Sequence, residues 1–158
     1  MDIWFVRHAI AADRAPHSAA DCDRPLTEHG RDVFEDLAEI LAEHVKMPER
    51  IFSSPLVRAV QTAELLAEAA GLKKKDLAVS DVLAPAVNLE RLLDFLREQK
   101  VERIALVGHE PDMSRCSSAL IGGGQFAFGK GNVACIRFDG VPGPGAGELR
   151  WFIGPKLL

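Results

Sequence analysis

Short apolar segments alternate with longer amphipathic segments up to Ile121, and this alternation restricts the fold more than any other feature of the sequence. A short apolar run is typical of a buried strand, whereas apolar residues spaced three or four apart are typical of a helix that packs on one face. Strands are predicted at residues 3–6, 50–52, 77–83 and 103–109, and helices at residues 27–45, 55–70, 89–99 and 111–121.

Local signals predict where some of these helices begin and end, and which sides they bury. Thr27 is expected to be the N-cap of the first helix, and Gly71 the residue that ends the second. The helix at 89–99 should turn Leu92, Leu93 and Leu96 inward. The first helix should bury an apolar face made of Val33, Phe34, Leu37, Ile40, Leu41 and Val45.

After Ile121 the pattern changes to strands without an intervening helix. Gly122, Gly123 and Gly124 break the preceding helix, and strands are predicted at residues 132–139 and 148–153 around a loop rich in glycine and proline. Strand–helix alternation favours a parallel sheet covered by helices on both faces. The predicted fold is therefore a three-layer α/β/α sandwich around a mostly parallel sheet, with an antiparallel C-terminal hairpin.

Length, composition and charge point to one ordinary globular domain spanning residues 1–158. Apolar residues make up 47% and charged residues 27% of the 158-residue chain, and the net charge of −4 disfavours nucleic-acid or membrane binding. Asp2 and the break at Arg7 do not fit a signal peptide, and no apolar stretch approaches the roughly 20 residues of a bilayer span. Three widely separated cysteines do not suggest disulfides, so a cytoplasmic location is expected.

Three of the predicted strands end at residues that suit chemistry. Arg7 and His8 end the first strand, Ser53-Ser54-Pro55 follows the second and leads to Arg58, and His109 ends the fourth. In open α/β sheets, sites form at the carboxyl ends of the strands. Two arginines and two histidines are therefore expected to meet at one edge of the sheet.

These residue types favour a phosphoryl group as the ligand. The planar guanidinium of arginine binds phosphate oxygens in pairs and keeps its charge at all working pH values. A neutral imidazole can attack phosphorus, and a second, protonated imidazole can neutralise charge on the other oxygens. No metal and no cofactor are required, and phosphate or sulfate is expected to fit the pocket.

Other interpretations of the same residues remain open from the sequence alone. His8 could be a core histidine satisfied by the backbone, and His109 could simply occupy a strand end. The two histidines could ligate a metal, although neighbouring arginines would repel a cation. Arg58 could lie on the exposed face of an amphipathic helix.

Four ordered motifs resemble the histidine phosphatase superfamily, and in particular its small SixA-type phosphohistidine phosphatases. The Arg7-His8-Ala9 form and the His109-Glu110-Pro111-Asp112 segment are similar to that small branch. The four motifs are Arg7-His8-Ala9, Arg24-Pro25-Leu26-Thr27 with Gly30, Ser53-Ser54-Pro55 with Arg58 to Ala63, and Val107 to Pro111.

The resemblance implies a phosphoglycerate-mutase-like fold and specific residue roles. His8 would be the nucleophile that becomes phosphorylated, and Arg7, Arg58 and His109 would form the phosphate pocket. The substrate would be phosphohistidine on a phosphorelay or phosphotransfer protein, with a small phosphorylated molecule as the alternative substrate. A non-catalytic module that binds phosphorylated partners is a further alternative, which does not explain a nucleophilic histidine.

One departure from larger members of the superfamily concerns the general acid. These members bring a carboxylic acid from an inserted helical lid after the third strand, whereas residues 84–88 here contain no acid. A shallow site and a phosphoramidate substrate follow as expectations, because an imidazole leaves more readily than an alkoxide. Glu110 and Asp13 are possible substitute acids, and Thr62 a possible support for Arg58. Arg24 could either fix the loop through Asp21 or Asp23, or line the pocket mouth.

Overall fold

A computed structural model describes residues 1–14 and 21–157, and its strands form one mixed six-stranded sheet. The strands are β1 (Asp2–Arg7), β2 (Arg50–Ser53), β3 (Leu77–Val79), β4 (Arg103–Gly108), β5 (Val133–Arg137) and β6 (Glu148–Ile153). The α-helices are α1 (Glu28–His44), α2 (Val57–Ala69), α3 (Leu89–Arg97) and α4 (Asp112–Leu120). Across the described part of the chain, no helix combines the length and apolar composition that a bilayer span requires.

The order of strands in the sheet is β3-β2-β4-β1-β5-β6. The first four are parallel, β5 pairs antiparallel with β1, and β6 pairs antiparallel with β5. The predicted mostly parallel sheet with an antiparallel C-terminal hairpin is confirmed. Strands β2, β4 and β1 are consecutive in this order, so their carboxyl ends lie side by side.

Alternating residues of β1 divide the core into two layers. Trp4 and Val6 pack with Phe34 and Leu37 of α1 and with apolar residues of α2. Ile3 and Phe5 pack on the other face, with apolar residues of α3 and α4. Each fully buried side chain of this size contributes about 1.5–3 kcal/mol of transfer free energy. The predicted three-layer α/β/α arrangement follows, with α1 and α2 on one face and α3 and α4 on the other.

The predicted helix boundaries are close to the observed ones. The Thr27 hydroxyl accepts a hydrogen bond from the Gly30 amide at 2.9 Å and caps α1. Gly71, which follows the C-cap residue Ala70 of α2, has a φ of 64°, and the Leu72 amide donates back to the Ala67 carbonyl. This conformation favours glycine and ends the helix as expected. The leucines of α3 that were predicted to point inward, Leu92, Leu93 and Leu96, are buried.

Two sequence predictions are wrong in detail. The strand predicted at 77–83 stops at Val79, because the Ser80 hydroxyl accepts from the Val82 amide and turns Asp81–Leu83 into a short 3-10 helix. Ile40 was assigned to the buried face of α1 but is 36% exposed, since Ala38 occupies the buried position beside Leu37 and Leu41. Residues 80–88 connect β3 to α3 without an inserted helical lid, as predicted.

The first turn of α1 closely approaches the segment after β1. A Cβ added at Gly30 would lie 2.1 Å from the carbonyl oxygen of Ile10, which also accepts a hydrogen bond from the Thr27 amide at 3.0 Å. Backbone atoms cannot move aside as a flexible side chain can. Gly30 therefore lets α1 fix the chain two residues beyond His8.

We expect Gly30→Ala to lower the free energy of unfolding by about 1–3 kcal/mol, the usual cost of overpacking a tight site. This loss should appear although alanine has the higher helix propensity. The measurement is urea denaturation of the variant and the parent. Gly140→Ala is the matched control, because a Cβ there meets nothing within 4 Å. Equal stability of both variants would contradict the close approach.

Candidate active site

The carboxyl ends of β1, β2 and β4 bring the predicted residues into one place. Arg7, at the end of β1, pairs with Gly108 at the end of β4, and Ser53 of β2 pairs with Val107. Backbone hydrogen bonds continue one residue further, from the His8 amide to Gly108 and from the Ser54 amide to Val107. His8, Ser54 and His109, the first residues after β1, β2 and β4, therefore lie side by side at the carboxyl edge of the sheet.

His8 presents one unprotonated ring nitrogen to the site. Its Nδ1 lies 2.7 Å from the carbonyl oxygen of Ala9, and a carbonyl only accepts, so Nδ1 carries the proton. In the neutral ring Nε2 is then unprotonated, and the Arg58 Nε–H donates to it at 3.3 Å. The residue His8 is 7% exposed. The backbone thus holds His8 in the tautomer that a nucleophile needs.

The second histidine lies next to the first. The ring centroids of His8 and His109 are 5.2 Å apart, and His109 Nε2 is 2.7 Å from the hydroxyl oxygen of Ser54. Nδ1 of His109 is buried and has no hydrogen-bond partner in residues 1–14 and 21–157. The site therefore combines a lone pair on His8 with an unpaired ring nitrogen on His109.

Arg58 lies in the first turn of α2 and is buried, 5% exposed, so the interpretation as a surface residue is wrong. While its Nε faces His8, Nη1 donates to the Asp21 carbonyl at 2.8 Å and Nη2 to the Asp21 carboxylate at 3.1 Å. Asp21 therefore holds the far edge of the guanidinium and turns Nε toward the histidine.

Arg7 provides the second cation at the strand ends. Its Nη1 donates to the carbonyl oxygen of Phe128 at 2.7 Å, and its Nε is buried with no partner in the part of the chain that the structure describes. The Gly131 amide bonds to the carbonyl oxygens of Arg7 and His8, which fixes the backbone here. An oxyanion bound at this edge would supply acceptors for unpaired donors.

Thr62 connects the segment that follows β1 to α2. Its hydroxyl donates to the Arg58 carbonyl at 2.7 Å and accepts from the Ala9 amide at 3.0 Å. Gln61, the preceding residue, accepts from the Leu26 amide at 2.8 Å. The sequence expectation that Thr62 supports Arg58 agrees with this contact.

Electrostatics keep both rings neutral in the free protein. Burial lowers the pKa of His8 to about 3. The hydrogen bond to Ala9 raises this pKa, whereas His109, Arg58 and Arg7 lower it further. Burial also lowers the pKa of His109 to about 4, helped most by the charge of Arg58. The protonated second imidazole expected from the sequence therefore does not exist before an anion arrives.

The remaining sequence candidates have structural contacts. Arg24 donates to Asp21 and to the Ala12 carbonyl, both at 2.8 Å, which agrees with the loop-fixing interpretation. Glu110 accepts from the amide and the hydroxyl of Ser114 in α4. Asp13 is exposed. These contacts give Arg24 and Glu110 structural roles, and the acid role predicted for Glu110 or Asp13 stays a prediction.

Sequence analysis assigned no role in the site to Ser54 and connected Asp21 only with Arg24. The Ser53-Ser54-Pro55 motif placed Ser54 at the right strand end, but its 2.7 Å contact with His109 depends on two strands far apart in sequence. Asp21 lies 37 positions before Arg58, and no local pattern links the two residues. The Asp21 carboxyl has a lowered pKa, because Arg24 and Arg58 outweigh the opposing effect of burial.

A metal-ligand arrangement is not present among the described residues. No group of three or more His, Cys, Asp or Glu side chains in residues 1–14 and 21–157 is placed to hold a metal ion. The arginines beside both histidines instead make this edge of the sheet suited to an anion.

Comparisons with known proteins agree with this geometry. The sequence model of the histidine phosphatase superfamily (branch 1) matches residues 3–79, which include Arg7, His8 and Arg58. An uncharacterized protein of Picosynechococcus sp. is 38% identical over 154 residues, with 95% of this chain and 88% of that protein covered.

SixA proteins are similar to this chain along their whole length. Phosphohistidine phosphatase SixA of Escherichia coli is 26% identical over 162 residues, with 100% of this chain and 96% of that protein covered. A structure of the protein histidine phosphatase SixA complexed with tungstate superposes with a TM-score of 0.86 and 25% identity, and 99% of each chain is covered. The chain therefore belongs to the histidine phosphatase superfamily and is one of its SixA-like members.

Proposed function

We propose that this phosphatase removes the phosphoryl group from phosphohistidine on a protein, and that the reaction passes through a phosphorylated His8. The observation that carries the proposal is the state of the His8 ring. Its Nδ1–H is bonded to the Ala9 carbonyl, and its Nε2 lone pair lies 3.3 Å from Arg58 Nε. A buried, neutral nitrogen beside a fixed guanidinium suits attack on an anionic phosphorus group.

In the first step, His8 Nε2 forms a bond to phosphorus while the bond from phosphorus to the substrate's ring nitrogen breaks. The departing ring keeps the electron pair and takes a proton from solvent. Arg7 and Arg58 neutralise the phosphoryl oxygens, and His109 contacts one of them through its ring. The Ala9 carbonyl continues to accept from Nδ1–H, which stabilises the positive charge on the phosphorylated ring.

In the second step, a water oxygen attacks phosphorus and the bond to His8 Nε2 breaks. The electron pair returns to Nε2, the proton of the water goes to solvent, and inorganic phosphate leaves. His8 is then neutral again, because its buried ring has a pKa of about 3 in the free site. The free enzyme is thereby ready for another turnover at neutral pH.

The choice of substrate rests on the carboxyl groups near the site. Asp21 is held ionised by Arg24 and Arg58, and Glu110 is bonded to Ser114. Asp112 is buried and accepts from the Ala86 amide and from Arg115. An alkoxide leaving group needs a positioned acid, whereas an imidazole can take its proton from solvent. The names of the SixA relatives agree with this preference.

A second part of the proposal concerns the partner and the cellular setting. We expect the phosphohistidine to belong to a phosphorelay or phosphotransfer protein in the cytoplasm. The three cysteines, Cys22, Cys116 and Cys135, are free thiols, which is compatible with a reducing compartment. The alternative substrate, a small phosphomonoester, would use the same anion site but would lack acid assistance.

Labelling tests the covalent step. The protein is incubated with a protein carrying ³²P-phosphohistidine, and samples are taken before and after EDTA treatment. We expect acid-labile, alkali-stable label on the parent, no label on His8→Ala, and no effect of EDTA. A thermal melt of His8→Ala provides the folding control.

Three results would overturn this proposal in different ways. Faster turnover of a phosphomonoester panel than of the phosphohistidine protein would assign the alternative substrate. Binding of the phosphoprotein without phosphate release would indicate a non-catalytic module. Loss of activity with EDTA would reveal a metal requirement.

The low pKa of His8 predicts the pH profile of kcat/KM. A histidine with the ordinary pKa of about 6.5 would be only about 3% neutral at pH 5, and kcat/KM would fall about 30-fold from its plateau. With a pKa of about 3, His8 stays neutral at pH 5, so we expect no such loss. The measurement is phosphate release between pH 5 and 8, corrected for hydrolysis without enzyme. A fall in kcat/KM that is centred near pH 6.5 and arises from the enzyme, not from the substrate, would contradict a buried, neutral His8 ring.

A further inference from the structure

We propose that Ser54 fixes the tautomer of His109 and so makes its Nδ1–H a hydrogen-bond donor to the transferring phosphoryl group. Ser54 is fully buried and its hydroxyl oxygen is 2.7 Å from His109 Nε2. This inference rests on the proposed function for the identity of the acceptor. The tautomer itself follows from the contacts of the serine.

The proton of the Ser54 hydroxyl has one well-placed acceptor. The Leu56 amide approaches the same oxygen at 3.4 Å, and an amide can only donate, so it uses a lone pair of the hydroxyl. The neighbouring Ser53 hydroxyl bonds to the Ser54 carbonyl at 2.9 Å and does not contact His109. The Ser54 O–H is therefore free to donate to His109 Nε2.

A hydrogen bond accepted at Nε2 determines which nitrogen of the His109 ring carries the proton. His109 is neutral in the free site, because burial lowers its pKa to about 4. A neutral imidazole whose Nε2 accepts a hydrogen bond carries its proton on Nδ1. Nδ1 is the nitrogen that lies buried without a partner among the described residues, so its N–H is an unpaired donor in the site, as the Nε–H of Arg7 is. A buried donor without an acceptor is costly, and a phosphoryl oxygen would remove that cost.

The opposite tautomer fits the contacts poorly. It would place a proton on Nε2, which would donate to the Ser54 oxygen and leave the serine proton without an acceptor. It would also turn the Nδ1 lone pair, rather than an N–H, toward an anion. The two histidines then have complementary roles, since His8 presents a lone pair at Nε2 and His109 presents a proton at Nδ1.

The tautomer can be observed directly by long-range ¹H–¹⁵N NMR of the histidine rings in the unliganded protein at pH 7. We expect the parent to show a protonated Nδ1 and an unprotonated Nε2 at His109. In Ser54→Ala the ring should shift toward the other tautomer, and kcat should fall about 100-fold, the lower end of the range for losing an oxyanion donor. Ser54→Thr keeps the hydroxyl and should restore both the tautomer and most of kcat.

Ser53→Ala is the matched control, because it removes an equally buried hydroxyl that does not contact His109. We expect it to leave the His109 ring signals in place, and thermal melts report any loss of folding in each variant. A parent protonated at Nε2, or a Ser54→Ala variant with an unchanged tautomer, would overturn the inference. So would an equal loss of kcat in the Ser53→Ala and Ser54→Ala variants.

The spectroscopic readout separates this inference from the proposed function. The ring signals do not depend on turnover or on the identity of the substrate. If His109 has the expected tautomer but the protein does not turn over phosphohistidine, the proposed function is contradicted and the role of Ser54 in setting the tautomer is not. If the protein turns over phosphohistidine but His109 has the opposite tautomer, the role of Ser54 is contradicted and the proposed function is not.

Discussion

Parallel hydrogen bonding of β1 with β4, and of β4 with β2, is the constraint on which the site depends. Those pairings align Arg7 with Gly108 and Ser53 with Val107, so the residues that follow each strand start from one plane. His8, Ser54 and His109 then need only one further residue of backbone to meet. Their separations are set by the spacing between strands, which is uniform and stiff in a hydrogen-bonded sheet.

Charge balance at this edge depends on a carboxylate as much as on the arginines. Burial keeps both imidazoles neutral, and the two guanidinium groups beside them add to this effect by repelling further positive charge. Asp21 contacts Arg58 on the side away from His8 and is 32% exposed. It offsets part of the positive charge while leaving Nε directed to the site. A local anion site is thus compatible with a chain whose net charge is −4.

The sequence predicted the layered fold and the meeting of Arg7, His8, Arg58 and His109, because both depend on periodicity and on strand ends. It did not predict that β3 stops at Val79, since a single serine hydroxyl decides whether the strand continues or turns. It also did not predict the contacts of Ser54 and Asp21 within the site. Those contacts join segments whose relative position exists only in the folded sheet. A propensity or spacing rule contains no information about such distances.

The Thr62 hydroxyl, which bonds to the Ala9 amide and to the Arg58 carbonyl, has a dynamic consequence. The same oxygen atom is hydrogen-bonded both to the segment after His8 and to the first turn of α2. Small displacements of α2 relative to the sheet should therefore move His8 and the guanidinium of Arg58 together. The distance between them should vary less than the position of either one, and thermal motion of the helix should disturb the reacting geometry only weakly.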